Sequence, residues 1–517
     1  MDAEMLSASP LGDVSAFLEE ARRIVGQNWV DASTVKVARY GENLMPTGDV
    51  QVAGVVYPGS TEEIRQLVIS ANRNAVSLYP VSTGQNIGMG SRAPVMPGQV
   101  VMELGRRMNR ILELNEEMAY AVVEPGVSYQ ALYDELAARG HPLMLDTTSG
   151  PPQGGPLGNT LDKGAGYTPY FDHFYMSCGM EVVLGTGEVL RTGDGALPGS
   201  KSWHISKYGL GPYLDGLFLQ SNYGIVTRMG VWLMPKPAVT RSFFFSYPDD
   251  DDLAEIMETA RFVKLRGVVP TLLKVTNDIY AFGTESRFPQ DRADLRATLP
   301  DDIRREMQRE HGIGSWVVSG AVYAASEAAA DAQVETIRQA FEKTGKATYI
   351  PQEIADENPM LRIHSDSFVG KPTRDEFPLY EWRPGGGATW ILPVTPIDGK
   401  IALEHQALSR NILRRFGFDY ICEHVVGARM SRALHVLVWN REDPEENARA
   451  EACYKAFIDE YAAAGYPVSR PSTAFQPYAM NAMGHHFLET CNRIKDALDP
   501  NGVLAPGRYG IGAHRTP

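Results

Sequence analysis

The stretch PVSTGQNIGMG, residues 80–90, and its continuation SRAPVMPG, residues 91–98, decide the fold. The loop follows the apolar run VSLYPV and carries small residues and three glycines. Such a loop exposes backbone N–H groups to an anion such as pyrophosphate. In the doubly wound nucleotide-binding fold a glycine loop of this kind would open directly into a helix. Here the chain runs into Pro94 and Pro97, which a helix interior excludes because proline lacks the N–H and has a fixed φ. That fold is therefore disfavoured, and the loop reads as an anion cradle on a different scaffold.

Upstream of the loop, VSAFLEEARRIVG (14–26) spaces its apolar residues helically and stops at Gly26. VAGVVYPGS (52–60) predicts a strand and turn. TEEIRQLVISANRNA (61–75) predicts a helix capped by Thr61, with Glu63 in its first turn. Downstream, GQVVMEL, NRILELN and AYAVVEPGVS predict strands, followed by the helix YQALYDELAARG, stopped by Gly140. Residues 146–170 are dense in Gly and Pro, and a loop this long inside a domain is usually functional. MEVVLGTGEVLRTG predicts a hairpin and GIVTRMGVWLMP a further strand. After KPAV (236–239) the pattern changes to helices such as AAADAQVETIRQAFEKTG alternating with strands such as GSWVVSGAVYA and ALHVLVWN. The expectation is an α+β chain in two units, 1–237 with 480–517 and 238–479, the C-terminal tail returning to the first.

The whole chain sets outer limits. At 517 residues it is too long for one core. A formal charge of −14 argues against nucleic acid, whose binders need Lys and Arg to displace counterions. Cys178, Cys422, Cys453 and Cys491 form no CxxC pair and read as free thiols rather than disulfides or metal ligands. The opening residues lack a basic stretch followed by an apolar one, and no apolar run of about 18 residues follows. The expectation is a soluble cytoplasmic protein with no membrane association, the periplasm being the alternative.

The ordered segments PVSTGQNIGMG, VEPGVSYQALYDEL, GNTLDKGAGYTPYFDHF, GLFLQSNYGIVTRMGVWLMPKP and LDPNGVLAPGRYGI span nearly the whole chain. Together they resemble the vanillyl-alcohol oxidase and p-cresol methylhydroxylase family. The resemblance implies an FAD-binding unit and a cap unit closing over the isoalloxazine ring. It implies that Pro80, Val81, Ser82, Thr83, Gly84, Gln85, Asn86, Ile87 and Gly88 hold the pyrophosphate. Further cofactor contacts are implied at Glu124, Pro125, Gly126, Gly158, Asn159, Asp162, Gly164, Gly224, Ile225 and Val226.

In LYEWRPGGGATW (379–390) the chain has Ala388 where the oxidase branch carries a flavin-linked histidine. Tyr380 matches the tyrosine of the methylhydroxylase branch and is expected to bond FAD covalently at its 8α carbon; the alternative is a packed tyrosine beside noncovalent FAD. Arg508 and Arg470 match arginines near the flavin pyrimidine and the substrate phenolate, and Glu376 and Glu423 match acidic positions of the site. These four are the expected catalytic residues. Two departures concern the pocket: Met89 and Ser469 stand where the family holds the phenolate with tyrosines. A third is GARMSRALHV, with Met430, Arg432 and Ala433 where the family has aspartate and histidines. By resemblance, the expected chemistry is hydride removal from a 4-alkylphenol, electrons passing to a cytochrome c or similar acceptor, in a homodimer. An oxygen-using alcohol oxidase and an FAD-binding protein without turnover are the alternatives.

Overall fold

The computed structural model describes residues 12–140 and 142–513, so the first eleven residues of the leader reading and the last four of the tail lie outside it. Near the N-terminus the helix Val14–Val25 ends at Gly26, whose φ of 93° suits a residue without Cβ. The helix Thr61–Asn74 forms where expected, but its cap is Ser60 and not Thr61. Ser60 is extended and its hydroxyl accepts from Glu63 N, whereas the Thr61 hydroxyl donates to Glu181. Either hydroxyl amino acid suits an N-cap, and tertiary context settles which one serves.

These two helices pack on a four-stranded sheet through Phe17, Leu18, Ile64, Leu67 and Val68. In that sheet Val52–Val56, Gln99–Glu103 and Leu78–Val81 are parallel, and Val30–Asp31 adds an antiparallel edge. The loop 80–90 leaves from the end of Leu78–Val81. Beside this layer lies an antiparallel sheet of five strands, in the order Ile111–Asn115, Tyr120–Val123, Gly224–Trp232, Ser177–Leu184 and Val189–Arg191. The Gly/Pro-rich segment 146–170 is not wholly loop, because Pro156 opens a short helix, Pro156–Leu161.

A third sheet, of eight antiparallel strands, is built from residues 239–440. Its central members are Trp316–Ala324, Leu273–Asn277, Cys422–Val426, Met430–Asn440 and Gly386–Ile391. Alternate strand residues point to opposite faces. One face presents Leu273, Val275, Trp316, Val318, Ala433 and Leu437 to the helices Leu253–Leu265, Glu327–Phe341, Gly399–Phe416 and Pro444–Ala463. The register then obliges Lys274, Thr276, Glu423, Val425, Arg432 and Leu434 to occupy the opposite face. That face looks toward the first two sheets.

The C-terminal segment returns to the first sheet. Leu504 bridges Leu78 in parallel, and Asn222 donates to the carbonyls of Ala505 and Ile511. Buried Lys495 holds this return through Asp499 and the carbonyls of Asn222 and Leu504. The four cysteines are free. Among the described residues no helix is long and apolar enough to cross a membrane.

Candidate active site

Where the loop, the short helix and the charged sheet face converge, they enclose a cavity of about 290 Å3. Every residue from Pro80 to Ile87 lines it, with Met89, Gly158, Asn159, Asp162, Gly224, Ile225, Val226, Tyr380, Arg470 and Arg508. Residues from six separated stretches of sequence thus meet at one surface. The wall is mixed, apolar over much of its area with a few placed polar groups, which is the usual character of a cofactor site.

Glycine makes the close approaches. A Cβ on Gly158 would lie 2.3 Å from Ser82 Oγ, and one on Gly155 2.5 Å from the Val127 carbonyl oxygen. The helix can therefore reach the loop at Ser82 only because Gly158 lacks a side chain, and Gly155 lets its start pass Val127. Gly88 does not line the cavity, yet a Cβ there would lie 2.5 Å from Trp390, so this glycine lets the loop reach the third sheet. The Gly88 carbonyl accepts from Thr389 Oγ1 at 3.0 Å, fixing that approach.

Tyr380 sits on the single-turn helix Phe377–Glu381 and presents its ring edge-on to Trp390 at 6.1 Å. Trp390 Nε1 donates to its hydroxyl at 2.6 Å. Burial pushes the Tyr380 hydroxyl well above the usual tyrosine range, and the Trp390 bond opposes that shift by favouring the oxyanion.

Arg470 donates to Asp162 from Nε and a terminal nitrogen, both at 3.1 Å, and Tyr509 donates to the other Asp162 oxygen. Arg508 lies 3.9 Å from the same carboxylate, and its Nε has no hydrogen-bond partner among the described residues. A buried guanidinium N–H left unpaired on a cavity wall is a donor aimed at a ligand. Glycines at the close approaches, an unpaired Arg508 donor and an anion-cradling loop suit a dinucleotide cofactor with a flat ring at the third-sheet end.

Glu376 and Glu423 stand just behind the wall. Fully buried Lys274 bridges them, at 2.8 Å to Glu376 and 3.3 Å to Glu423, and lies 4.4 Å above the Tyr167 ring. Thr276 donates to Glu423 at 3.1 Å, and Tyr280 to Glu376 at 3.5 Å. Tyr167 and Tyr280 form the adjoining cavity wall. Burial and the neighbouring Glu376 charge push Glu423 up to about 7, against the pull of Lys274.

Other expected positions lie off the wall. Ser469, assigned to the substrate pocket from sequence, instead hydrogen-bonds the Leu392 carbonyl through both its backbone N–H and its hydroxyl, so Leu392 lines the cavity in its stead. Glu124 is occupied by Arg110 at 2.7 Å. Pro125 is buried beside it, and a Cβ on Gly126 would lie 2.3 Å from the Gly105 carbonyl, so this turn braces the loop from behind. Gly164 likewise makes room for Asn159, whose side chain is held by His173 at 2.6 Å. Sequence reading missed Lys274, Thr276, Tyr167, Tyr280 and Trp390. The only trace of Lys274 was a lysine at one alternate position of the apolar run LLKVTN.

The layered sheets, the glycine-built cradle and the arginine-lined cavity define an FAD-linked oxidoreductase. Residues 52–193 match the FAD binding domain family, and residues 407–509 match the family of C-terminal domains of FAD linked oxidases. The flavoprotein subunit of 4-cresol dehydrogenase (hydroxylating) from Pseudomonas putida is 36% identical over 502 residues, 97% of this chain and 96% of that protein. The crystal structure of p-cresol methylhydroxylase with substrate bound superposes with a TM-score of 0.95 at 35% identity, covering 98% of each chain. The 4-ethylphenol oxidase of Gulosibacter chungangensis, in its isoeugenol complex, gives a TM-score of 0.93 at 34% identity, over 97% of this chain and 99% of that one. The chain belongs to the vanillyl-alcohol oxidase and p-cresol methylhydroxylase family. It is an FAD-dependent enzyme.

Proposed function

We propose that this enzyme oxidises para-substituted phenols at the benzylic carbon and passes the electrons to a one-electron carrier of the cytochrome c type. The observation that carries the reading is a single cavity joining the loop 80–90 to Tyr380, Arg470 and Arg508. Likeness to 4-cresol dehydrogenase and to p-cresol methylhydroxylase supports the substrate class. We divide the chain into an FAD-binding unit, 1–237 with 480–517, and a cap, 238–479, whose sheet carries the substrate-side charges.

Bound FAD supplies the hydride acceptor. Arg470, held in place by Asp162, stabilises the phenolate oxygen, and the electron density released there expels hydride from the benzylic carbon. The product of that step is a quinone methide. Water adding to it gives a benzylic alcohol, and Glu376 or Glu423 takes the proton that the water gives up. Arg508, with its unpaired Nε–H, would hold the pyrimidine end of the flavin and supply positive charge there. Tyr380 would hold the flavin through an 8α tyrosyl ether, and the Trp390 N–H would favour its oxyanion. An aryl ether there favours hydride acceptance by the flavin.

The test is the intact mass of the purified, denatured protein, with Tyr380→Phe alongside, followed by anaerobic titration with 4-alkylphenols. A mass gain of one FAD, absent from the variant, and bleaching of the flavin by the phenols are the expected results. A wild-type protein without the mass gain would overturn the tyrosyl link, and a flavin that no 4-alkylphenol bleaches would overturn the substrate class. The likeness to 4-ethylphenol oxidase favours a second reading, in which oxygen accepts the electrons. Rapid reoxidation by air with release of peroxide would select it.

A further inference from the structure

Arg432 lies on the strand Met430–Asn440 and lines the cavity. Its register partners are Val425 on one side and Val394 on the other, and Leu434 is the next residue of its strand on the same face. None of these can neutralise a guanidinium. Among the described residues the Arg432 guanidinium makes no hydrogen bond and no ion pair, and the charges acting on it include Arg470 and Asp172. Lys274 occupies the same row two strands away, about 10 Å at the usual strand spacing, with Glu376 and Glu423 gathered around it.

The charge balance of the cavity makes this arginine conspicuous in a chain of net charge −14. Its wall carries Arg432, Arg470 and Arg508 against a single carboxylate, Asp162, both of whose oxygens are taken by Arg470 and Tyr509. Lys163, on the adjoining turn, adds a further cation within reach of the Arg432 charge. The ring of oxidised FAD is uncharged. The FAD pyrophosphate is assigned to the loop 80–90, and Asp172 acts on Arg432 only from beyond ion-pair distance, so Asp162 and one phenolate leave Arg432 as the guanidinium without a direct partner. An unpaired guanidinium in a concave, partly dry site carries a desolvation penalty that an anion removes.

Resting on the phenol-oxidising reading of this cavity, we propose that Arg432 binds a carboxylate carried by the substrate. The site thereby selects para-substituted phenols with an anionic side chain. The planar fork of arginine matches a carboxylate through two parallel hydrogen bonds.

Two probes of nearly equal shape test this with the FAD-loaded enzyme: 4-propylphenol and 3-(4-hydroxyphenyl)propanoate. Dissociation constants come from the perturbation of the flavin spectrum, and reduction rates from anaerobic mixing. Wild type is expected to bind the carboxylate probe at least about tenfold more tightly. Arg432→Met should weaken the carboxylate probe about 30-fold more than the neutral one, as loss of one partner of a desolvated charge pair does. Arg432→Lys, which keeps the charge, should retain part of the preference and covers the case in which the methionine variant fails to fold. Equal weakening of both probes would assign Arg432 to the phenolate or the cofactor and overturn the proposal, as would a wild type without preference. If the carboxylate probe binds through Arg432 yet neither probe bleaches the flavin, the oxidation reading falls and the anion site stands.

Discussion

Two charged clusters border the cavity, and they are built on opposite plans. Around Lys274 the charges close on themselves: the ammonium meets Glu376 and Glu423, Thr276 and Tyr280 fill further hydrogen-bonding positions, and only Glu423 Oε1 lacks a partner. Around Asp162 they remain open, with three arginines on the wall, one carboxylate and, among the described residues, an unpaired Arg508 Nε and an Arg432 guanidinium without a partner. The closed cluster completes its interactions within the protein. The open one is completed only by a ligand. Stability should therefore depend most on the first and catalysis on the second.

The largest effect expected is at the centre of the closed cluster. Lys274→Met keeps the volume and the apolar stem but leaves two carboxylates buried without their cation. Breaking a buried ion pair in this way costs about 3–5 kcal/mol. Denaturant unfolding should show that loss, and the binding of FAD by the folded fraction should survive it. A variant as stable as wild type would mean that Glu376 and Glu423 share a proton and need no cation.

The next effect sharpens the contrast from the other side. Arg470→Met should lower kcat/KM for a 4-alkylphenol by about 10²–10³-fold, the usual consequence of removing one preorganised charge from a developing anion. Unfolding free energy should move far less than in Lys274→Met, because Asp162 keeps Tyr509 as a donor and Arg508 nearby. Equal losses of stability in the two variants would abolish the distinction between closed and open clusters.

The open cluster was largely legible in the sequence, whereas of the closed one only Glu376 and Glu423 were, for physical reasons. Gly84 and Gly88 take a positive φ, Gly88 abuts the Trp390 ring and Gly158 abuts the Ser82 hydroxyl, demands that glycine meets, so the loop announces itself locally. Arg470 and Arg508 sit in short turn-rich motifs, VSRPS and LAPGRYGI, that carry a resemblance well. Lys274, by contrast, lies 102 residues from Glu376, which precedes the helix Phe377–Glu381, and it meets Glu423 only through the register of two strands distant in sequence. Those strands are covered on both faces, so their sequences read as nearly continuous apolar runs and hide which face a lone lysine occupies. Ser469 shows the converse: its motif was recognisable, but its backbone turns it toward Leu392, which lines the cavity beside it. The Ser60–Thr61 cap shows the same limit at short range, since two adjacent residues of equal capping chemistry are told apart only by the distant Glu181.

The smallest effect is the most discriminating test of the closed cluster, because its sign is fixed by the hydrogen bonds. Glu423 is held as the acid up to about pH 7, so between the ordinary carboxylate range and that value the folded chain binds more protons than the unfolded one. Stability attributable to this group must fall as pH rises through that window and level off above it, and Glu423→Gln should remove the slope. If Glu423 acts as the base toward water, product formation should rise with pH through the same value. Thr276 donates to the ionised form, so Thr276→Val raises the Glu423 value further. One hydrogen bond to a charged group is worth about 1.5 kcal/mol, which corresponds to a shift of about one unit. The inflection in the pH profile should therefore move up by that amount in Thr276→Val and vanish in Glu423→Gln. A downward movement would mean that the Thr276 hydroxyl serves the protonated acid, and the proton would then reside on the oxygen facing Thr276.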